Sequence, residues 1–269
     1  MTYMRLRALA AVIVSVVLCA AQYGHRPNRW AKYEYEMQNP VDDPPGAYEE
    51  TEFAFARLRF RSFRDRYFGR GHLRWGTDAN KSERQFILAL RRLTSLDVRS
   101  VEHIVDVDSD EIYDWPWLYA VGIGHWELSE SQVVRLRNYF NRGGFLMVDD
   151  FHGPQEWADF MDGVRRILPG HQVVELQDDD PIFHVFYNLE ERFQVPGLQV
   201  IRGWMYERGG VVPHWRAVLD EEGRVQIVMC FNMDVGDAWE WADHPEYPER
   251  YAALAARMGI NYILYSMTH

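Results

Sequence analysis

The sequence predicts one α/β domain on a mostly parallel, doubly wound sheet with an antiparallel C-terminal extension. Strand-like runs alternate with amphipathic helical stretches from residue 52 to about residue 176, as in folds in which helices connect parallel strands. One run, Trp117–Ile123, is apolar throughout, as expected where both faces of a sheet are covered. After Pro181 strand-like segments follow one another closely, which indicates antiparallel pairing.

Hydrophobic periodicity places the individual elements. The first five predicted strands span Glu52–Phe60, Val101–Val107, Trp117–Ile123, Phe145–Val148 and Val173–Leu176. The predicted helices span Ser82–Thr94, the stretch from the capping box Ser129–Gln132 to Gly143-Gly144, Trp157–Leu168 and Pro248–Tyr265. The antiparallel extension comprises predicted strands Gln199–Tyr206, Arg216–Leu219 and Val225–Phe231, with a hairpin turn at Asp220–Gly223.

The N-terminus predicts export. Residues 1–21 carry Arg5 and Arg7, then a short apolar run that ends on small residues, which is typical of a signal peptide or an uncleaved N-terminal anchor. Residues 22–51 are polar and proline-rich and predict a tether, and residues 52–269 form the domain. We therefore expect a periplasmic protein, or one tethered at the outer face of the inner membrane, with membrane contact only through this segment.

Charge and cysteine content exclude some partners and crosslinks. The formal net charge is -11, or about -13 without residues 1–21, so repulsion from phosphates argues against nucleic acid as the main partner. The basic stretch Arg57–Arg64 alternates charged and apolar residues, which predicts a strand with one solvated, charged face. Beyond residue 21 only Cys230 remains, so no internal disulfide is expected.

Two segments follow predicted parallel strands at the carboxyl edge, where open α/β sheets bind ligands. The first, Gly122–Glu127, precedes a capped helix whose free N–H groups can hold an anion. Its Gly-x-Gly pattern lacks the third glycine of a dinucleotide fingerprint. Gly122, Gly124 and His125 are ligand-binding candidates, and the alternative is a tight turn with a surface histidine.

The second segment is Asp149–Gly153. Asp149, Asp150 and His152 offer two carboxylates and an imidazole, which suit a divalent cation or a base with its orienting acid. Their spacing matches no closed zinc pattern, and Asp149 has the alternative of capping the next helix or bonding loop amides. If the two strands are neighbours, His125 and His152 lie on one rim.

Two later segments also mix chemistry-bearing residues. Asp178–His184 contains an acidic run that suits either a cation site or a solvated loop. Asn232–Trp241 places indoles beside carboxylates, which suits a sugar or peptide surface unless Trp239 and Trp241 pack on the domain.

Common hydrolase and nucleotide motifs are absent. The chain contains no Gly-x-Ser-x-Gly, no Gly-x-x-x-x-Gly-Lys and no His-Glu-x-x-His. Serine-hydrolase, nucleotidase and zinc-protease hypotheses therefore lose their usual support.

Four stretches carry a family resemblance. They are Trp75–Asp78, Leu118–His125, Leu136–Asp150 and Gly259–Tyr265. Together they resemble the bacterial domain-of-unknown-function family 4159, from about Phe53 to the end of the chain, and the Gly-Gly-Phe-Leu and Asp-Asp run is the most specific part. Members look like class I glutamine amidotransferase-like domains, which implies a flavodoxin-like, three-layer open sheet.

The resemblance also bears on activity. Amidotransferases of that superfamily carry a catalytic cysteine on the turn that here holds Gly124 or His125, so glutamine hydrolysis is unsupported. Cys230 lies within a predicted strand and reads as a buried apolar residue.

Two function hypotheses remain besides a purely structural scaffold, which predicts no pocket at the strand ends. The preferred one is a non-catalytic envelope module that binds a protein or glycan through Gly122–Glu127 and Asp149–Gly153. The alternative is a metal-assisted hydrolase of a carbohydrate or ester, in which Asp149, Asp150 and His152 hold a divalent cation and His125 moves protons.

Overall fold

The structure, a computed structural model, describes residue 43 and residues 46–63 and 74–269. The predicted signal segment and the predicted tether up to residue 42 lie outside the described residues. Of the rest of the predicted tether, Ala47 is buried and the Asp43 carboxylate lies 3.0 Å from the Arg84 guanidinium. These residues therefore contact the domain.

Within the described residues, seven strands form one sheet. They are β1 (Ala56–Arg59), β2 (His103–Asp106), β3 (Trp117–Val121), β4 (Phe145–Phe151), β5 (Val173–Glu175), β6 (His214–Leu219) and β7 (Val225–Phe231). Their order is β2-β1-β3-β4-β7-β6-β5. The neighbouring pairs β2–β1, β1–β3, β3–β4 and β4–β7 are parallel, whereas β6 pairs antiparallel with both β7 and β5. This arrangement confirms the predicted α/β fold class, with a mostly parallel sheet and an antiparallel C-terminal part, and is consistent with a flavodoxin-like fold.

Helices cover both faces of the sheet. They are α1 (Lys81–Leu93), α2 (Glu130–Asn141), α3 (Gly153–Ile167), α4 (Leu198–Ile201), α5 (Val235–Glu240) and α6 (Glu249–Thr268). Apolar residues of α1, α5 and α6 form one buried cluster with alternate strand residues such as Tyr119 and Met147. Residues of α2 and α3 form the other cluster with Leu118 and Leu146. Because side chains alternate along each strand, the two faces of the sheet contribute to two separate hydrophobic cores.

Local sequence signals set several helix boundaries. The Ser129–Gln132 capping box is present, and Gly143 lies just past the C-terminus of α2 with a left-handed φ of 87°. Helix α3 begins at Gly153, four residues before the predicted start, because Pro154 occupies a first-turn position that needs no N–H donor.

The predicted strand Gln199–Tyr206 is wrong. Its first residues form the single helical turn α4. The residues that follow are not part of the sheet, and Trp204 and Met205 are 70% and 91% exposed. This segment has the apolar residues of a strand but no neighbouring strand to pair with, so it forms an exposed apolar loop. We call Trp204–Tyr206 together with Val211 and Val212 the apolar loop.

The prediction that the basic stretch Arg57–Arg64 exposes its charged side chains to solvent is also wrong at Arg57. This side chain is completely buried because α1 places Glu83 against its guanidinium. Arg57 Nη1 also donates to the carbonyl oxygens of Trp75 and Thr77, each at 2.8 Å. Arg57 is therefore a buried charged residue whose hydrogen bonds hold the loop that precedes α1.

Candidate functional site

The two predicted segments leave the same edge of the sheet. Strands β3 and β4 are parallel neighbours, with Val121 opposite Asp149. Beyond the last pair, the Gly122 N–H donates to the Asp149 carbonyl oxygen at 3.0 Å. Segments Gly122–Glu127 and Asp149–Gly153 therefore lie side by side and form what we call the rim.

The two glycines of the rim have different roles. Gly122 adopts a left-handed φ of 62°, which turns the chain sharply at the end of β3. Gly124 has ordinary backbone angles, but a Cβ there would collide with the Cβ of Glu156 on α3. The Gly-x-Gly pattern thus supplies a turn and a close approach to a helix.

Replacing Gly124 with Ala is expected to destabilise the fold by about 1–3 kcal/mol, because a methyl group must be forced against a packed helix. Urea unfolding of the Gly124→Ala variant measures this loss. An unchanged unfolding midpoint would show that α3 moves away freely and that the close approach has no energetic importance.

His125 is an interior residue. It is only 3% exposed, and its Nε2 contacts Glu156 Oε1. The ring of Phe63 packs edge-on at 5.2 Å between centroids. The interpretation of His125 as a surface histidine is therefore wrong, because α3 brings a buried carboxylate to it.

Glu156 connects the two rim segments. Its Oε2 accepts the His152 backbone N–H at 2.8 Å, and its Oε1 lies 2.8 Å from Arg208 Nε. Burial opposes ionisation, but the hydrogen bond and charge of His125, with the other donors, lower the pKa of Glu156. His125 and His152 therefore share one rim through an ionised carboxylate.

Asp150 and His152 form a second acid–imidazole pair. His152 Nε2 lies 3.2 Å from Asp150 Oδ1, and both residues are buried. Burial opposes both charges, yet the mutual hydrogen bond and attraction lower the pKa of Asp150 and raise that of His152. Each member of the pair therefore favours the charged form of the other.

A third group completes this cluster. One ligand atom each of Asp150, His152 and Glu207 lies within 4.8 Å of the others. Asp150 has a left-handed φ of 48°, a conformation that is uncommon outside glycine and is found preferentially at functional sites. We call these three residues the rim cluster.

Asp149 belongs to a different environment from Asp150. The pairing of β4 with β7 is irregular between Val148 and Phe151, and such a bulge re-aims side chains. Asp149 is fully buried and accepts the N–H groups of Val235 (3.1 Å) and Gly236 (2.7 Å) and the Tyr119 hydroxyl (2.9 Å). Asp149 therefore bonds backbone amides, as one alternative predicted, but they are the first amides of α5 and not those of a loop.

Burial raises the pKa of Asp149 to about 7, although the amide hydrogen bonds work in the opposite direction. Repulsion from Asp150 adds to the rise. Of the three predicted metal ligands, the structure therefore pairs Asp150 with His152 and directs Asp149 to Tyr119 and the N-terminus of α5.

Sequence reasoning missed a group of buried acids next to Asp149. Burial, and then repulsion from Asp237, raises the pKa values of Asp78 and Asp234 well above normal. Burial also raises the pKa of Asp237 to about 6. Asp78 lies in the Trp-Gly-Thr-Asp stretch and the other two in Asn232–Trp241, so both signals were visible but the spatial convergence was not.

The two other predicted segments have separate roles. Trp239 is buried and stacks on Phe86 at 4.3 Å, so this indole packs in the core. In Asp178–His184, the carboxylate of Asp178 pairs with Arg192 at 2.6 Å in an exposed setting. Neither feature belongs to the rim.

Cys230 is fully buried within β7. Burial, with repulsion from Asp149, raises the pKa of its thiol well above normal. A neutral, inaccessible thiol is a poor nucleophile, so Cys230 does not supply the chemistry of a glutamine amidotransferase.

Comparison with known families identifies the domain. A family model described as a domain of unknown function, DUF4159, matches residues 54–267. The chain belongs to the DUF4159 family. All six predicted site residues lie within the matched range of this DUF4159 domain. No curated protein matches the chain. Among the described residues, no helix is long and apolar enough to cross a membrane.

Proposed function

We propose that this DUF4159 protein is a cation-dependent binding module of the bacterial cell envelope, which binds a protein or glycan partner at the rim. The observation that carries the proposal is the rim cluster, in which Asp150, His152 and Glu207 converge within 4.8 Å. Pockets with convergent polar groups and shifted pKa values at the carboxyl edge of a sheet are the usual binding sites of such folds.

The chemistry of the cluster suits a divalent transition-metal ion. One imidazole and two carboxylates are ligands for ions such as Mn²⁺ or Zn²⁺, and three protein ligands leave coordination positions open. Oxygen atoms of a glycan or an acidic peptide can fill those positions. In the absence of a cation, the Asp150–His152 hydrogen bond holds both side chains in place.

The apolar loop supports partner binding beside the cluster. Met205 is 91% exposed, and the loop residues flank Glu207, which belongs to the rim cluster, and Arg208, which pairs with Glu156. Exposed apolar groups next to a polar centre are common at interaction surfaces.

A metal-assisted hydrolase is the second candidate, and the His125–Glu156 pair favours it. A buried imidazole held by a carboxylate is the arrangement of a general base, and Glu156 links it to His152. In this candidate the cation activates a water for attack on an ester or glycosidic bond.

Metal binding by the full chain tests the primary proposal. Calorimetric titration with Mn²⁺ and Zn²⁺ is expected to show one fewer bound ion in Asp150→Asn and in His152→Ala than in wild type. His103→Ala is the matched control because His103 also pairs with a carboxylate, that of Glu111 at 2.5 Å, outside the rim.

Equal ion binding in wild type, Asp150→Asn and His152→Ala would refute the cation-dependent module. Metal-dependent turnover of glycan or ester substrates that His125→Gln abolishes, with ion binding retained, would instead establish the hydrolase.

Two broader assignments are part of the proposal. Export is supported by the apolar run that follows Arg5 and Arg7 in residues 1–21. Kinship with glutamine amidotransferase-like domains is supported by the mostly parallel sheet and the turn at Gly122–Glu127. Protease digestion of intact spheroplasts tests export, and a protein resistant until lysis would contradict it.

A further inference from the structure

A second group of acids lies where α5 meets the loop before α1, and it shares no residue with the rim cluster. One carboxylate oxygen each of Asp78, Asp237 and Glu240 lies within 4.8 Å of the others. Asp78 and Glu240 are only 7% and 4% exposed. Asp78 precedes α1, whereas Asp237 and Glu240 belong to α5, so the group joins two separate parts of the chain.

Asp78 supplies an independent indication of a ligand. Its Oδ2 is buried and has no hydrogen-bond partner among the described residues. Buried carboxylate oxygens are normally satisfied, and one that is not is destabilising unless a ligand takes it. A Cβ at Gly236 would lie 2.7 Å from this oxygen, so a glycine in α5 keeps the space around it open.

Basic side chains of this part of the described structure are directed to other acids. Arg57 is held by Glu83, and Lys81 Nζ lies 3.6 Å from Asp243 and 4.4 Å above the Trp241 ring. Arg57 nevertheless attracts Asp78 and opposes the rise in its pKa, but burial and the neighbouring acids outweigh this attraction.

Asp237 retains room for a ligand. Its Oδ2 accepts the Leu198 N–H at 2.6 Å, and its Oδ1 accepts Trp241 Nε1 at 3.1 Å. Each carboxylate oxygen has two lone pairs, so one on each oxygen remains. These hydrogen bonds fix the orientation of the carboxylate without using it up.

We propose that Asp78, Asp237 and Glu240 bind a hard divalent cation of the Mg²⁺ or Ca²⁺ class, which ties the loop before α1 to α5. An all-carboxylate set is what such ions prefer, in contrast to the imidazole-containing rim cluster. The two sites share no residue, so each is tested on its own residues, although Asp150 and Glu207 of the rim cluster lie near enough to repel Asp237.

Thermal unfolding at neutral pH tests the inner site, with the full-length His152→Ala chain as background to remove the rim contribution. After stripping with EDTA, addition of Ca²⁺ or Mg²⁺ at about 100 times its Kd is expected to raise the Tm by about 5–10 °C. Adding Asp78→Asn, or separately Glu240→Gln, should abolish the rise. Asp243→Asn is the matched control because its carboxylate is 60% exposed at the same helix end.

Three outcomes would overturn the inner site. They are no shift with either ion in the His152→Ala background, an undiminished shift in both Asp78→Asn and Glu240→Gln, and an equal loss in Asp243→Asn. If Asp78→Asn raises the Tm of the stripped protein while no ion has an effect, the acids share protons and hold no cation, and the proposal fails. Loss of rim binding alone, with this shift intact, would overturn only the proposed function.

Discussion

Replacing Arg57 with Met is expected to lower the free energy of unfolding by about 3–5 kcal/mol, because it leaves a buried carboxylate without its partner. The pair of Arg57 and Glu83 is completely inaccessible to solvent. The guanidinium also donates to Ser82 Oγ at 3.2 Å and to two backbone carbonyls of the loop before α1. Urea unfolding with a check that the m-value is unchanged measures the effect.

The double variant Arg57→Met/Glu83→Met separates charge from shape. Removing both charges avoids the unpaired carboxylate, so at least half of the single-variant loss should be recovered. A residual loss of about 1–3 kcal/mol is expected from the carbonyl groups that Arg57 no longer satisfies. A single-variant loss below about 1 kcal/mol would show that Glu83 finds water or another donor.

The second large effect is a pH-dependent stabilisation by Asp149→Asn. The pKa of Asp149 is about 7 in the fold, against 3.8 for an ordinary aspartate. Between about pH 4 and pH 7 the unfolded chain has lost this proton and the folded chain retains it, so wild-type stability falls as pH rises. The amide variant has no proton to lose, so its advantage over wild type should grow by about 1.4 kcal/mol per pH unit.

The advantage should be absent near pH 4 and constant above about pH 7, where both wild-type states are ionised. The measurement is the difference in free energy of unfolding between Asp149→Asn and wild type from pH 4 to pH 8 in EDTA. Asp220→Asn is a useful comparison because hydrogen bonds from Arg224 lower the pKa of Asp220 below 3.8, so its difference from wild type should change only at and below about pH 4 and stay nearly flat across this range. A flat difference for Asp149→Asn would mean that the three donors around it keep the carboxylate ionised.

Much of the fold could be predicted from local patterns. The run Trp117–Ile123 has no polar residue because helices cover both faces of β3, and the capping box at Ser129 needs only neighbouring residues to form. The failure at Gln199–Tyr206 has the opposite cause. Strand identity there depends on a neighbour to pair with, which no local pattern reports.

The rim was predictable because parallel strands carry their loops to one edge. This rule predicts that His125 and His152 lie on one rim. It cannot predict Glu156, a residue of α3 that contacts the His125 ring and the His152 backbone N–H. Nor could it show that a bulge in β4 separates Asp149 from Asp150.

The convergence of the buried acids Asp78 and Asp237 depends on long-range packing. Asp78 and Asp237 are 159 positions apart in the sequence and meet because α1 packs on α5. Burial is the largest cause of their raised pKa values, and repulsion between neighbouring acids adds to it. Arg57 resembled a solvated strand residue because the carboxylate that buries it belongs to the following helix.

Anomalous scattering from crystals of the full chain soaked with Zn²⁺ tests whether the rim binds a cation. We expect a zinc peak among Asp150, His152 and Glu207, with metal–ligand distances of about 2.0–2.2 Å and the Asp150–His152 hydrogen bond replaced. An intact Asp150–His152 hydrogen bond and no anomalous peak at the rim, in crystals that bind zinc elsewhere, would contradict this expectation.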